Sequence, residues 1–321
     1  MIDYLKNIKF PDKDSHKGKN GRLLIVGGSK LFHAASLWSL KVASRIVDLV
    51  HYSSVEENNA IVQKLKEEFR DGIIVPRTEL DEYIKEDDCI LIGPGMVRTE
   101  ISNDKAQMSN QIQSLKDIEK IKDEGLQTYY LTKYLLQKYP HKKWVIDAGA
   151  LQMLDLDDIP NNAILTPHRQ EFSKLIAKIP KSKDQISNKF QNPNNKKPKD
   201  TPDGGPDSIG DSSGVEESVM RFVKQYHCTV LLKGEKDIIA SSEKIEIIGG
   251  GNAGMTKGGT GDVLAGLVAA LYCQNESFTA SVAASYINKK AGDALFEKMG
   301  YWFNASDLAE QIPKTMKMLR I

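Results

Sequence analysis

The sequence predicts an α/β fold in which a central, mostly parallel β-sheet is flanked by helices on both faces. Short apolar runs alternate with longer helical patterns along most of the 321 residues, and this alternation is typical of layered α/β proteins. The runs are continuously apolar, as expected for parallel strands that helices cover on both sides. Glycine-containing turns follow several of these runs, at the strand ends where ligands bind in such sheets.

Seven apolar runs are predicted as buried parallel strands, because each is short and largely β-branched or leucine-rich. They span residues 23–26, 49–52, 73–75, 90–92, 144–146, 164–165 and 229–232. Seven further segments have the apolar periodicity or the small-residue content of helices. These helices are predicted at residues 34–47, 57–70, 128–139, 215–226, 261–274, 278–298 and 305–319.

The whole chain, residues 1–321, is predicted as a single domain that carries two polar insertions. The first, at about residues 98–127, is rich in Gln, Asn, Lys and Asp. The second, residues 181–213, holds four prolines and six lysines but almost no apolar residues. Such a composition cannot bury enough surface to fold alone, so we expect a mobile surface loop.

Composition and charge exclude several functional classes. The formal net charge of +1 gives no sign of a nucleic-acid-binding surface. Cys89, Cys228 and Cys273 lie far apart in apolar surroundings, which indicates buried thiols in a reducing compartment and no metal-ligand spacing. The amino terminus lacks the apolar core of a signal peptide, and no apolar run reaches the length of a membrane span. We therefore expect a cytoplasmic protein that binds no nucleic acid and no membrane.

Residues 251–273 carry the strongest functional signal. A glycine-rich loop runs into a small-residue helix, with the carboxylate of Asp262 at the junction. Uncovered backbone N–H groups and the positive end of the helix dipole suit a phosphate. Asp262 would act there as a base, or, in the alternative interpretation, only cap the helix. Because a cap does not need Gly258, Gly259 and Gly261 around it, we favour the base.

Other motifs occur in a fixed order along the chain. They are Lys17-Gly18, residues 21–29, Gly93-Pro94-Gly95, Asp147-Ala148-Gly149, Leu165-Thr166-Pro167-His168, Glu171-Phe172, Leu232-Lys233-Gly234 and residues 251–262. Together they resemble the ADP-dependent NAD(P)H-hydrate dehydratases of the ribokinase-like superfamily. The resemblance runs from about residue 15 to about residue 318.

The resemblance implies a repair reaction on hydrated NADH or NADPH. With Mg²⁺, a phosphoryl group passes from ADP to the C6 hydroxyl of the hydrated ring and AMP is released; if ATP is the donor, ADP is released. Phosphate then leaves, and the ring double bond returns. Phosphate is a far better leaving group than hydroxide, so the enzyme mainly has to orient the hydroxyl, stabilise phosphoryl charge and accept a proton.

The resemblance also implies roles for individual residues. Asp262 is the base toward the substrate hydroxyl, and the helix dipole is expected to keep it ionised and weakly basic. Glu171 is expected to cap or orient a helix. The hydrated dinucleotide is expected at Ala34, Gly95, His168 and Asp262. The adenine nucleotide is expected at Lys233, Gly234, Glu235, Lys236, Asp237, Asn252, Gly258, Gly259, Thr260 and Gly261.

Two other functions stay open at this point. A ribokinase-like kinase for a vitamin precursor or a sugar needs the same glycine loop and aspartate but keeps the phosphate on its product. A nucleotide-sensing binding module would need no intact base. The resemblance further implies a homo-oligomer and a separate NAD(P)H-hydrate epimerase as a partner. The sequence does not show whether ADP or ATP is the phosphoryl donor, although the family analogy favours ADP. It also does not show whether the substrate derives from NADH or from NADPH.

Overall fold

The computed structural model describes residues 3–9, 11–100, 112–180 and 212–319. The predicted surface loop at residues 181–213 therefore lies outside the described residues, except for the start of a helix at Ser212. Residues 101–111 of the first predicted insertion also lie outside them.

The described part of the chain forms a nine-stranded sheet in the order β3-β2-β1-β4-β5-β6-β7-β8-β9. Neighbouring strands from β3 to β7 are parallel, whereas β7, β8 and β9 pair antiparallel. The mostly parallel sheet predicted from the sequence is thus confirmed. The strands are β1 (Arg22–Val26), β2 (Leu49–Ser53), β3 (Ile73–Ile74), β4 (Cys89–Ile92), β5 (Lys143–Ile146), β6 (Ile164–Leu165), β7 (Thr229–Leu232), β8 (Asp237–Ala240) and β9 (Ile245–Ile248).

Helices cover both faces of this sheet. They are α1 (Asp3–Lys6), α2 (Ala34–Ala43), α3 (Glu56–Lys64), α4 (Leu80–Tyr83), α5 (Leu115–Glu119), α6 (Glu124–Lys138), α7 (Ala148–Met153), α8 (Arg169–Ala177), α9 (Ser212–Tyr226), α10 (Thr260–Tyr272), α11 (Ser277–Met299) and α12 (Ala305–Met318). All seven helices predicted from periodicity are present, with ends that differ by a few residues.

Strand β1 shows why the sheet needs a helix layer on each side. Leu23 and Ile25 are buried in one apolar core, with side chains from α2, α10, α11 and α12. Leu24 and Val26 are buried in the other, with side chains from α4 to α9. Burial of each such side chain stabilises the fold by about 1.5–3 kcal/mol. The three cysteines are buried and free, as predicted.

Three details differ from the sequence prediction. The hairpin of β8 and β9 was not predicted. Ile73 is 44% exposed, so the prediction of a buried strand is wrong for β3, which pairs over only two residues at the sheet edge. The described part of the first predicted polar insertion, residues 112–127, contributes Leu115, Ile118 and Leu126 to the core, which its polar composition did not indicate.

Helices α2 and α10 approach each other unusually closely. A Cβ atom at Gly266 would lie 2.7 Å from both Cα and the carbonyl oxygen of Ser39. The Ser39 hydroxyl donates a 2.7 Å hydrogen bond to the backbone oxygen of Asp262. This packing fixes the position of the first turn of α10.

We expect Gly266→Ala to lower the free energy of unfolding by about 1–3 kcal/mol, because the added methyl group meets backbone atoms that cannot move aside. Urea denaturation measures the change. Gly214→Ala is the matched control, since Gly214 is also helical and has no atom within 4 Å of the added carbon. That control should gain about 0.4–1 kcal/mol, and equal effects of the two substitutions would contradict the packing argument.

Candidate active site

The glycine-rich loop before α10 has the shape that its sequence predicts. Gly259 takes a left-handed conformation with φ +94°, and a side chain there would collide with the indole ring of Trp38. The Trp38 Nε1 group donates to the Ser306 hydroxyl at 3.0 Å, which holds the ring in place. Gly258 has open space where a side chain would be. The first N–H groups of an α-helix have no intrahelical partner, so this turn can accept an anion.

Thr260 and Asn252 hold this loop in shape. The Thr260 hydroxyl donates to the backbone oxygens of Met255 at 2.6 Å and Lys257 at 2.9 Å. The Asn252 side chain accepts from the Gly254 N–H at 2.9 Å and donates to the Gly292 oxygen at 2.8 Å. Their side chains thus position the loop, and their predicted contact with a nucleotide stays a prediction.

A buried ion pair lies beneath the first turn of α10. Lys233 follows β7, and its Nζ atom is 3.0 Å from Oδ1 of Asp147, which follows β5. The Thr166 hydroxyl donates to the same oxygen at 2.7 Å. A Cβ atom at Gly261 would lie 3.6 Å from Lys233 Nζ. The ammonium group therefore sits between the Asp147 carboxylate and the predicted phosphate site.

Asp262 is half-buried beside this pair. Burial raises the pKa of its carboxyl group to about 7, the Asp147 and Glu171 carboxylates raise it too, and the Lys233 ammonium opposes them. The expectation that the helix dipole keeps Asp262 weakly basic is therefore wrong, because loss of solvent outweighs the dipole. The N-cap of α10 is Gly259, with no side-chain cap bond, so the geometry does not support the alternative role of Asp262 as a cap.

The same charges act on Lys233. Burial lowers the pKa of its ammonium group, but Asp147, Glu171 and Asp262 together outweigh this and leave the pKa above its ordinary value. Lys233 is thus a permanently charged cation next to a carboxyl group that changes its charge near neutral pH. This pairing of two differently tuned groups is typical of catalytic sites.

His168 is the N-cap of α8 and forms a capping box with Glu171. Its Nδ1 atom accepts from the Glu171 N–H at 3.3 Å, and the Glu171 carboxylate accepts from the His168 N–H at 2.9 Å. The Gln152 amide donates to the other Glu171 oxygen at 3.0 Å. Glu171 therefore orients α8, as predicted. The His168 side chain remains 50% exposed at the strand ends.

Gly95 lies against the start of α2, of which Ala34 is the first residue. Gly95 has φ +73°, and a Cβ atom there would lie 3.0 Å from the side chain of Ala35 and from the Phe32 carbonyl oxygen. The loops after β1 and β4 are thus in direct contact. His33 precedes Ala34, and its Nδ1 atom lies 3.0 Å from Asn58 Oδ1.

The turn between β7 and β8 is held by Asp237, which the sequence analysis named, and by Ser285 and Lys289, which it missed. Asp237 is buried, and its carboxylate accepts from the Gly234 N–H at 2.9 Å and the Ser285 hydroxyl at 2.7 Å. Lys289 donates to the Gly234 and Glu235 carbonyl oxygens at 3.1 and 3.0 Å. Asp237 therefore shapes the turn, while Glu235 and Lys236 are exposed beside it. Ser285 and Lys289 are four residues apart on α11, a spacing that places both on one helix face.

A family model described as NAD(P)H-hydrate dehydratase matches residues 23–314 of the chain. The chain belongs to this family. It is 31% identical over 324 residues to the bifunctional NAD(P)H-hydrate repair enzyme Nnr of Methanocaldococcus jannaschii, with 98% of this chain and 52% of that protein covered. It is 28% identical to the ADP-dependent (S)-NAD(P)H-hydrate dehydratase of Cenarchaeum symbiosum, with 98% and 95% covered. The chain thus spans about half the length of the bifunctional relative.

A solved structure shares the fold of this family member. The ADP/ATP-dependent NAD(P)H-hydrate dehydratase of Bacillus subtilis, co-crystallised with ATP and Mg²⁺, superposes with a TM-score of 0.68 at 20% identity, covering 97% of this chain and 99% of that one. The ribokinase-like fold predicted from the sequence is confirmed. None of the described helices is both long and apolar enough to cross a membrane.

We expect Asp262→Asn to stabilise the protein above pH 4, by an amount that grows until about pH 7. The folded protein binds this proton more tightly than the unfolded chain, whose Asp pKa is about 3.9, so the wild type loses stability as pH rises through the folded pKa of about 7. The variant avoids that loss. We expect about 1–3 kcal/mol, less than the full conversion of about 1.4 kcal/mol per pKa unit, because the group is only half-buried.

Thermal and urea unfolding at pH 4, 5.5, 7 and 8.5 measure this difference. The exposed Asp71→Asn is the matched control for removal of one negative charge. A stability difference between Asp262→Asn and the wild type that is the same at pH 4 and pH 8.5 would refute the raised pKa.

Proposed function

We propose that the protein is an ADP-dependent NAD(P)H-hydrate dehydratase. It would restore NADH or NADPH from the hydrated cofactor and convert ADP to AMP and phosphate. The observation that carries this proposal is the half-buried Asp262, with a pKa of about 7, next to a glycine loop that can hold a phosphate. Membership of the NAD(P)H-hydrate dehydratase family connects this geometry to the substrate.

The residues of the site account for the phosphoryl transfer step. The oxygen of the C6 hydroxyl attacks the terminal phosphorus of ADP while Asp262 takes the hydroxyl proton. The bond between that phosphorus and the bridging oxygen then breaks, and the bridging oxygen leaves with AMP. Backbone N–H groups of the loop around Gly258 and Gly261 would stabilise the charge on the transferred group, because the first N–H groups of a helix have no intrahelical partner and are left for an anion. The Lys233 ammonium adds positive charge from below.

The second step needs less from the protein. Phosphate departs from C6 with the electrons of its bond, and the ring nitrogen supplies electron density. The departing phosphate or a water molecule accepts the C5 proton, and the electrons of that C–H bond restore the double bond. We propose that the half-exposed His168 donates from its Nε2 atom to the substrate, since its Nδ1 atom accepts the Glu171 N–H and its Nε2 atom, 3.5 Å from Glu171 Oε2, then carries the proton. Ala34 and Gly95 leave room for the hydrated ring.

Mg²⁺ supplies positive charge at the nucleotide phosphates when it is bound. In the described ranges, no group of three His, Cys, Asp or Glu residues could hold a metal ion. This fits Mg²⁺, which proteins usually bind through substrate phosphates and water, with few carboxylates. The loop of Gly258 to Gly261 and the turn at Gly234 are the places for those phosphates.

Three further parts of the proposal concern the setting of the reaction. We propose a homo-oligomer, a separate epimerase that supplies the reactive epimer of the hydrated cofactor, and a cytoplasmic location. The existence of bifunctional NAD(P)H-hydrate repair enzymes among the relatives supports a link between dehydration and a second repair activity. Light scattering of the purified protein measures the oligomeric state.

A kinase with the same fold is the alternative. It would transfer the phosphoryl group and keep it on the product, whereas the dehydratase releases phosphate. The relatives that are matched over nearly their own whole length are dehydratases by name, which favours dehydration.

The purified protein, hydrated NADH, ADP and Mg²⁺ are incubated together, and the absorbance of the dihydronicotinamide and the concentration of free phosphate are measured. We expect both to rise in equal amounts, with ADP as a better donor than ATP. Transfer without phosphate release would favour the kinase.

We expect Asp262→Asn to lower kcat by about 10²–10⁴-fold, because the amide cannot accept a proton. The dissociation constant for ADP should change by less than about threefold, since the backbone N–H groups remain. In the wild type, kcat/KM should fall tenfold per pH unit below about pH 7, as Asp262 becomes protonated. Near-wild-type turnover of the variant, or a flat profile between pH 5 and pH 7, would remove Asp262 from the role of base.

A further inference from the structure

A second cavity lies at the carboxyl ends of β2 and β3. Its volume is about 450 Å³, and its polar lining comes from Ser54, Glu56, Asn59, Gln63, Arg77, Thr78 and Glu119. Apolar surface from Ile74, Pro76 and Ala60 completes the wall. Hydroxyl, amide and carboxylate groups around an apolar wall are suited to a nucleoside, which has a flat ring and a sugar diol.

This cavity adjoins the predicted substrate site. Arg77 Nη2 donates to the Gly28 carbonyl oxygen at 3.4 Å, and a side chain at Gly28 would collide with the Ser54 hydroxyl. On its other side, the Cα atom of Gly28 is 3.2 Å from where a Cβ atom of Gly95 would be. One glycine loop thus separates the cavity from the residues expected to hold the hydrated ring.

The strand order places the sites in one line along the sheet edge. The predicted ADP loop and the Asp147–Lys233 pair lie at β7 and β5, the Gly28–Gly95 contact at β1 and β4, and the cavity at β2 and β3. Four strand spacings of about 4.8 Å give about 19 Å from β5 to β3. With the hydrated ring of the substrate at Asp262, the adenosine half of the same dinucleotide can extend away from ADP and toward this cavity.

Arg77 and Glu119 form a long ion pair at the cavity wall, with Arg77 Nη1 3.8 Å from Glu119 Oε1. Within the described residues, Arg77 Nε and Glu119 Oε1 make no hydrogen bond, but both atoms are buried beneath the cavity surface. The Arg77 side chain is just 4% exposed, whereas the Glu119 side chain is 33% exposed. Glu119 is therefore the more accessible of the two, and a sugar hydroxyl can donate to a carboxylate.

We propose that this cavity binds the adenosine half of the hydrated dinucleotide and selects hydrated NADH over hydrated NADPH. The inference rests on the proposed function and deepens it. Glu56 and Glu119 outnumber Arg77, the one cation among the described lining residues, so the cavity repels the two negative charges of a 2′-phosphate. A free 2′-hydroxyl, by contrast, can donate a hydrogen bond to a carboxylate. In NAD-selective sites, an acidic side chain accepts this bond from the ribose.

The first test fills the cavity. Ala60 is exposed on α3 and lines the cavity, whereas Lys64 is exposed on the same helix and does not. Ala60→Trp should raise the KM for hydrated NADH at least fivefold relative to the KM for hydrated reduced nicotinamide mononucleotide, which lacks the adenosine half. Lys64→Trp should leave both KM values unchanged. An unchanged KM ratio for Ala60→Trp would overturn the proposal.

The second test changes the charge. The wild type should have a higher kcat/KM with hydrated NADH than with hydrated NADPH, and Glu56→Gln and Glu119→Gln should each reduce this preference at least threefold. Two variants are used because Glu119 also faces Arg77, and thermal melting checks that each is folded. Glu243→Gln, an exposed carboxylate in the β8–β9 turn, is the control. A wild-type preference for hydrated NADPH would overturn the inference.

A binding measurement separates this inference from the proposed function. If no hydrated substrate is turned over, the proposed function fails, and the cavity is then tested with unhydrated NADH and NADPH by fluorescence titration. NADH should bind more tightly than NADPH, and Ala60→Trp should weaken NADH binding at least fivefold. No binding of NADH, or equal binding to Ala60→Trp and Lys64→Trp, would overturn the cavity assignment.

Discussion

Three charges share a poorly solvated place beneath the first turn of α10, and the proposed chemistry depends on their balance. Asp147 and Lys233 form a 3.0 Å ion pair, and Asp262 is the third member. Because burial removes water from the Asp262 carboxyl group, its negative charge is costly, and its pKa rises to about 7. A carboxyl group that gains and loses a proton near neutral pH is a far better base than an exposed aspartate.

The fold holds this unfavourable arrangement in place by close packing elsewhere. Helix α10 is pressed onto α2 through Gly266 and Ser39, and Gly259 fits against Trp38. The strands that carry Asp147 and Lys233 are buried on both faces. Local electrostatic cost at a functional site is commonly offset by the stability of the surrounding structure. The same packing fixes the glycine loop that we propose as the phosphate site.

The fold and the proximity of Lys233 to Asp262 could be predicted from the sequence, whereas the pKa of Asp262 could not. Continuous apolar runs indicated seven parallel strands, and the strand-end rule brought Lys233 and Asp262 into one crevice. The raised pKa, however, depends on burial and on repulsion from the Asp147 and Glu171 carboxylates, which tertiary contacts bring from the end of β5 and the first turn of α8. The β8–β9 hairpin escaped prediction because Ser241–Lys244 has no glycine or proline to mark its turn. The support that Ser285 and Lys289 give to the β7–β8 turn could not be predicted. Their four-residue spacing indicates only a shared helix face, and polar residues on a solvent-facing helix surface have the same spacing.

The protonation of Asp262 itself can be followed by NMR. The protein is labelled with ¹³C at the aspartate side-chain carboxyl carbons, and Asp262→Asn identifies the signal of Asp262. The chemical shift is then recorded from pH 3 to pH 9 in the absence of ligand. A titration midpoint near 7, in keeping with the raised pKa, would support a base desolvated by its buried neighbours. A midpoint near the ordinary aspartate pKa of about 3.9 would contradict the account.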